Sequence, residues 1–338
     1  MGEDPAELVA LVTGGGGFLG KAIVERLLDE GWQVRSLARG DYPELREMGV
    51  ETLRGDIADP RIVADAVKGC EIVFHVAAKA GVWGPYKDYH RPNVMGTENI
   101  LDACRIHGVN RLVYTSSPSV VYGDAPLRGV DESVDYPEDY LTAYPKTKAI
   151  AEREVIKANC KVLKTVSLRP HLIWGPGDNH LVPRIVDRAR RGKLKKVGNG
   201  KAIVDSVYID DAARAHLLAA QALEGDAVAA GQVYFITQGE PMAVGELIDR
   251  IVDSAGLDPV DANVPAKIAY GMGWLLETIY RLLRKKEEPL MTRFVAKQLS
   301  TDHYFDISAA RKDLGYEPEW TIEEGMEKLG EWIRAEGV

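Results

Sequence analysis

The run Thr13-Gly14-Gly15-Gly16-Gly17-Phe18-Leu19-Gly20 constrains this chain more than any other stretch, because it stands between an apolar, β-branched segment at 8–13 and a helical pattern. Glycines at 14, 17 and 20 permit a tight turn and let the backbone approach a ligand where a Cβ would intrude. The first-turn amides of the following helix then point outward with the helix dipole behind them, which suits a phosphate. Strand, turn and helix in this order predict a dinucleotide-binding unit rather than an ordinary loop.

The chain to about residue 170 repeats the theme. Further strands are expected at 33–37, 51–54, 71–76, 111–115 and 164–169, each apolar on both faces or nearly so, as strands covered by helices must be. The expected class is α/β: a Rossmann-type, doubly wound parallel sheet with a smaller mixed α+β C-terminal substrate domain. Gly175-Pro176-Gly177-Asp178-Asn179 is a turn-rich break, so the cofactor domain is placed at 1–177 and the substrate domain at 178–338. Residues 204–209, then Asp210-Asp211 and an Ala-rich stretch to Ala220, read as one more strand and helix. A return to the first domain is therefore expected near 201–230.

Composition excludes several classes. With 46% hydrophobic and 28% charged residues the chain is neither disordered nor embedded in lipid. A net charge of -9 has the wrong sign for coating nucleic acid. Cys70, Cys104 and Cys160 are scattered without metal-ligand spacing, which points to a reducing compartment and to neither a disulfide framework nor a metal. Residues 1–8 carry Glu3, Asp4 and Glu7 and no apolar core of a signal, and no apolar run reaches the ~18 residues of a spanning helix. The expected location is the cytoplasm.

The second strand ends Leu37-Ala38-Arg39-Gly40-Asp41, where NAD-preferring folds place an acid for the ribose 2′-hydroxyl. Here alanine and then arginine occupy that place. A guanidinium can pair with a 2′-phosphate, so NADP(H) is favoured over NAD(H). The alternative keeps Arg39 solvated and lets Asp41 hold an NAD ribose.

Tyr144-Pro145-Lys146-Thr147-Lys148 opens a helical segment, and four residues of separation put Tyr144 and Lys148 on one face. A free phenol, with a pKa of ~10, is a poor acid-base catalyst near neutrality, and a nearby ammonium is expected to lower that value. Ser116 and Ser117 follow the fifth strand at its carboxyl end, where ligands bind in open α/β sheets.

Together with Gly55-Asp56-Ile57, His75-Val76-Ala77-Ala78, Asn93-Val94-Met95-Gly96-Thr97 and Leu168-Arg169-Pro170, these motifs resemble an extended short-chain dehydrogenase/reductase of the 3β-hydroxysteroid dehydrogenase group. Ala77-Ala78-Lys79-Ala80-Gly81-Val82-Trp83-Gly84, the segment from Leu172 to His180, and Leu290-Met291-Thr292-Arg293-Phe294 resemble most the OleD-type 2-alkyl-3-oxoalkanoate reductases of bacterial olefin biosynthesis. The resemblance implies that Ser117, with Ser116 as alternate, orients the reacting oxygen, that Tyr144 exchanges its proton, and that Lys148 binds the nicotinamide ribose and tunes Tyr144. It implies cofactor contacts from Gly14, Gly17, Phe18, Leu19, Gly20, Arg39, Asp56, Ile57, Ala77, Ala78, Lys79, Asn93, Tyr144, Lys148 and Pro170. The implied reaction is NADPH-dependent reduction of the 3-keto group of a 2-alkyl-3-keto fatty acid, and a homodimer is implied at family level. Oxidation of a 3β-hydroxysteroid or sterol, a nucleotide-sugar epimerase or dehydratase, and a non-catalytic dinucleotide sensor are the alternatives.

A β-keto acid needs a pocket with a cationic or amide-rich end and a long apolar channel. Lys79, Trp83, Ser117, His171, Asn179 and His180 are the candidate substrate residues. At 266–286 a helical pattern carries many apolar residues and ends in Arg284-Lys285-Lys286. Three readings remain open for it: a packed helix, a lid over a lipid-like substrate, or a surface docking on a membrane or partner enzyme.

Overall fold

The computed structural model describes residues 8–337, so the acidic segment with Glu3, Asp4 and Glu7 lies outside the described residues. Seven parallel strands form the main sheet: β1 Val9–Thr13, β2 Gln33–Ala38, β3 Glu51–Arg54, β4 Ile72–His75, β5 Arg111–Thr115, β6 Lys164–Pro170 and β7 Val233–Ile236. Their order is β7-β6-β5-β4-β1-β2-β3. The chain moves outward from β1 to β3 and then returns to place β4 on the other side of β1. The switch point therefore falls between β1 and β4, where open α/β sheets bind ligands at their carboxyl ends. Burial explains the strand composition: Ala10, Leu11, Val12, Ile72, Val73, Leu112 and Val113 have no exposed surface, because helices cover both faces.

Six of the strands fall where the apolar runs predict them, within a residue or so at either end. The seventh, β7, was not expected. It pairs with β6 in register Val233 to Ser167 after helix Ile209–Gln221, which packs on the first helix, Phe18–Asp29.

The segment 204–209 is not one strand. Ile203–Val204 joins a second sheet, Val207–Tyr208 pairs with Ile173–Trp174, and the helix already starts at Ile209. The break has a cause. Asp205 turns inward to accept hydrogen bonds from His171 and from the Phe305 amide, and the Ser206 hydroxyl accepts from the Trp174 indole.

The second sheet runs Met242–Ala243, Ile203–Val204, His303–Phe305, Leu127–Val130. It draws a strand from before the Gly175–Asn179 turn and three from after it. One apolar core spans both sheets, from Ala10 to Ile333. Helix Ala266–Leu282 packs on Arg293–Gln298 and buries only Ala269, Gly273 and Glu277, leaving Ile268, Trp274 and Leu275 more than half exposed. Among the described residues no helix is long and apolar enough to cross a membrane.

Candidate active site

The Gly-rich turn is shaped for close approach. Gly14 has φ +74° and lies against β4's continuation, where an added Cβ would stand 3.1 Å from the Ala77 Cα. A Cβ on Gly20 would fall 2.1 Å from the Gly14 carbonyl oxygen, so the first helix could not start here with any larger residue. Gly17 caps that helix without a side-chain bond, and its first turn carries no acid. First-turn amides left without a side-chain cap fit a pyrophosphate.

A relay of hydroxyls holds β1 to β4. The Thr13 hydroxyl accepts from the Val76 and Ala77 amides, both at 3.1 Å, so it must donate its own proton to His75 Nδ1 at 2.8 Å. His75 Nε2–H then donates to Thr97 at 3.0 Å, and Thr97 donates to the Asn93 carbonyl. This fixes one neutral tautomer. Burial, with the Lys148 charge behind it, pushes the His75 pKa down to about 3. Asn93 continues the network: its oxygen accepts from the Lys79 amide at 2.7 Å, while its amide group donates to the Lys79 carbonyl and to Thr147 on the helix Ala143–Ala158. The loop 77–79 is thereby locked to the helix that carries Tyr144 and Lys148.

Ser117, Tyr144 and Lys148 come together at the carboxyl end of β5. Ser117 is half-buried, caps the short helix Pro118–Val121 and shares a hydrogen bond with the Ser119 hydroxyl at 2.9 Å. Ser117 also acts on Tyr144, drawing its pKa down against the effect of burial. Ser116, by contrast, is buried with its hydroxyl unpartnered. Lys148 donates to the Thr115 carbonyl at 2.6 Å and stands over the Tyr114 ring at 4.2 Å. Burial lowers its pKa to about 7, partly opposed by the Glu152 carboxylate.

The tuning of Tyr144 differs from the expectation. Burial raises its pKa, and the group that pulls it back is Ser117 rather than Lys148, whose ammonium is turned to Thr115. Tyr144 is thus held as a phenol at neutral pH.

Arg39 is exposed and lines a cleft of about 900 Å³ with Asp56, Lys79, Tyr86 and Arg91. Asp41 is ion-paired to Arg46, which holds its carboxyl below the usual range. Asp56 accepts from the Ala58 amide and pairs with Arg91 at 3.1 Å. Ile57 is buried against Gly96, Phe18 is half-buried beside Gly177, Leu19 is buried in the core, and Pro170 ends β6. Ala78 is exposed beside the locked loop. The Lys79 ammonium is 3.7 Å from Asp88 and 4.7 Å from the Tyr89 ring centre.

Other substrate candidates lie apart from this group. The Trp83 indole donates to the Lys285 carbonyl and meets Tyr280 edge-on, clamping its loop to the end of helix Ala266–Leu282. His171 is buried with both ring nitrogens engaged, by Tyr122 and Asp205, so it reaches a ligand only through Tyr122. Asn179 and His180 are exposed, and the carboxylate of Asp178 makes the hydrogen bonds of their turn. Sequence reading missed Thr13, Thr97, Thr147 and Tyr122, because these hydroxyls reveal themselves only by partners distant in the chain.

The chain is 51% identical over 328 residues to a 2-alkyl-3-oxoalkanoate reductase of Shewanella oneidensis, covering 95% of this chain and 85% of that one. It is 50% identical over 321 residues to a 2-alkyl-3-oxoalkanoate reductase of Stenotrophomonas maltophilia, covering 94% and 97%. The solved structure of MoeE5 in complex with UDP-glucose and NAD superposes with a TM-score of 0.76 at 26% identity, over 97% of this chain and 99% of that one. Residues 11–265, which hold the Gly-rich turn, Ser117, Tyr144 and Lys148, match a single family description, and the chain belongs to the 3-beta hydroxysteroid dehydrogenase/isomerase family.

Proposed function

We propose that this chain is an NADP(H)-dependent oxidoreductase that reduces the 3-keto group of a 2-alkyl-3-oxo fatty acid to the 3-hydroxy acid. The observation that carries the reading is the convergence of Ser117, a protonated Tyr144 and the buried Lys148 at the carboxyl end of β5, beside the glycine cradle. Half-identity over nearly full length to two 2-alkyl-3-oxoalkanoate reductases supports the substrate class.

When bound, a nicotinamide dinucleotide supplies the hydride. The uncapped turn at Gly17 and the cleft at Arg39 would hold its phosphates, and Lys148 its ribose. Ser117 donates to the substrate's keto oxygen and fixes it beside Tyr144. Tyr144 Oη then gives its proton to that oxygen, a role suited to a phenol kept neutral by burial. His75, neutral and fully bonded, adds no competing charge. The phosphate preference rests on the exposed Arg39 guanidinium, which lines the cleft with no ion pair among the described residues, while Asp41 is taken up by Arg46. A small-molecule, lipid-like substrate, a homodimer and a cytoplasmic location complete the proposal. The free thiols of Cys70, Cys104 and Cys160 are in keeping with the last.

The test is the initial rate of NADP⁺ reduction, with NAD⁺ alongside, on a 2-alkyl-3-hydroxy fatty acid and on a 3β-hydroxysteroid. Turnover of the hydroxy acid with NADP⁺ is expected. Turnover of the steroid alone would replace this reading with a hydroxysteroid dehydrogenase, as the family description also allows.

A further inference from the structure

Helix Ala266–Leu282 is amphipathic with its faces reversed. The residues it buries are Ala269, Gly273 and Glu277, a turn apart on one side. A Cβ on Gly273 would fall 2.6 Å from the Arg293 amide nitrogen. The Glu277 carboxylate accepts from that amide at 2.7 Å and from the Arg293 guanidinium at 2.8 Å. Small residues and one satisfied acid thus hold the helix against the chain at 292–293.

Its large side chains face outward. Ile268, Met272, Leu275, Ile279 and Leu282 recur at i, i+4, i+7, i+11 and i+14, which sets them in one stripe. Leu275 is 51% and Leu282 78% exposed, and the exposed Leu283 and Leu290 follow beyond the helix end. A contiguous apolar surface of this kind marks a place that something covers.

Both ends of the helix are tied to one basic stretch of chain. Just before it, Asn263–Val264 pairs with Lys196–Val197. Just after it, Glu288 pairs with Arg184 at 3.2 Å and the Leu290 carbonyl accepts from Arg188, both arginines standing on helix Leu181–Arg190. Residues 184–196 and 277–288 together hold eleven basic residues against four acids, in a chain of net charge -9. Arg184, Arg191, Lys196 and Arg281 meet carboxylates. Lys193, Lys195, Arg284 and Lys286 are exposed and have no ion pair among the described residues. Positive charge is therefore gathered at each end of the apolar stripe.

That distribution decides between occupants. A second copy laid along the stripe, in either direction, would set basic end against basic end. An anionic lipid surface suits both features, since the stripe enters the acyl boundary while the cations meet headgroups. Seventeen residues make a helix about 25 Å long, which lies along such a surface. Tyr270 and Trp274, also exposed, are residues suited to the headgroup level.

We propose that helix Ala266–Leu282 is a docking surface for anionic lipid, with the Ile268 to Leu282 stripe seated among acyl chains and the flanking cations on headgroups. The Trp83 indole donates to the Lys285 carbonyl, so docking brings the loop that leaves the carboxyl end of β4 up to the lipid. This surface does not depend on the reductase reading.

The experiment mixes the protein with vesicles of phosphatidylcholine, alone or with about one-third phosphatidylglycerol, in about 0.1 M salt and floats them on a density gradient. The wild type is expected to float with the anionic vesicles, to stay behind with the neutral ones, and to float less as salt is raised. Brominated acyl chains should quench its emission, and Trp274→Phe should remove most of that quenching. The set Ile268→Ser/Leu275→Ser/Leu282→Ser and the set Lys193→Gln/Lys195→Gln/Arg284→Gln/Lys286→Gln should each lower the bound-to-free ratio roughly tenfold or more. All seven side chains are exposed, so both sets should melt as the wild type does. Equal flotation of the wild type with both vesicles, or wild-type binding by either folded set, would overturn the proposal. Flotation with neither vesicle would overturn it too; a sedimentation coefficient that drops in the serine set would then give the stripe to a second copy. Turnover of the hydroxy acid in solution decides the reductase reading separately.

Discussion

The ammonium of Lys148 donates to the Thr115 carbonyl at 2.6 Å while burial holds its pKa at about 7, so this group is a charged helper kept at the edge of neutrality. The consequence for stability has a definite sign. The folded value lies below the ordinary 10.5, so between the two the unfolded chain binds more protons than the folded one. Stability of the cofactor-free protein therefore rises with pH across that window, and the cost of burying the charge is fully present below about 7. Lys148→Met should raise Tm most at pH 6, with the advantage shrinking to nothing by about pH 10.5. Thermal melts of both proteins across that range check it, and parallel Tm curves would contradict the buried charge.

Tyr144→Phe removes the proton donor and little else, since the ring keeps its packing. A positioned general acid is worth roughly 10²- to 10⁴-fold. The variant should lose that much in kcat for the hydroxy acid while NADPH affinity changes less than about threefold. Steady-state rates and fluorescence titration with NADPH check it. Normal turnover would remove Tyr144 from the mechanism.

Arg39→Ala deletes an exposed guanidinium that other side chains do not hold. A charge-assisted hydrogen bond contributes about 1.5–3 kcal/mol, or roughly 10- to 100-fold in Kd. NADPH binding should weaken by that factor and NADH binding by far less. Equal losses for the two would return the ribose to Asp41 and the preference to NAD.

The parallel sheet was legible because its signal is local: runs such as Ile72-Val73-Phe74 are buried on both faces and leave no other reading. The glycine cradle and the Tyr144/Lys148 spacing were legible for the same reason. What escaped depends on distant partners. Residues 204–209 look like one strand until Asp205 is seen to be recruited by His171, 34 residues earlier, and by Phe305, 100 residues later. Where the Lys148 ammonium points was not legible, because spacing gives a shared helix face and no more; it donates to the Thr115 carbonyl.

Beneath Lys148, one helical turn on, Glu152 meets Arg169 in the deepest ion pair of the described residues, the two side chains being 0% and 2% exposed. Arg169 reaches both carboxylate oxygens, at 2.6 Å from Nη2 and 3.0 Å from Nε, and the Tyr136 hydroxyl donates to Glu152 as well. The pair need not add net stability, since desolvation offsets much of its attraction, but removing one partner strands the other. Arg169→Met should therefore cost about 3–5 kcal/mol in urea unfolding, because the buried Glu152 charge loses its ion pair and keeps a hydrogen bond from the Tyr136 hydroxyl alone. The double variant Arg169→Met/Glu152→Leu should recover most of that loss, although Lys148 then loses the carboxylate that favours its cation. Its apparent pKa should drop below about 7 accordingly, visible as a shift of the Lys148-linked slope in Tm against pH to lower pH. A double variant as unstable as the single one would mean that packing around Phe235 and Tyr136, rather than a stranded charge, sets the cost.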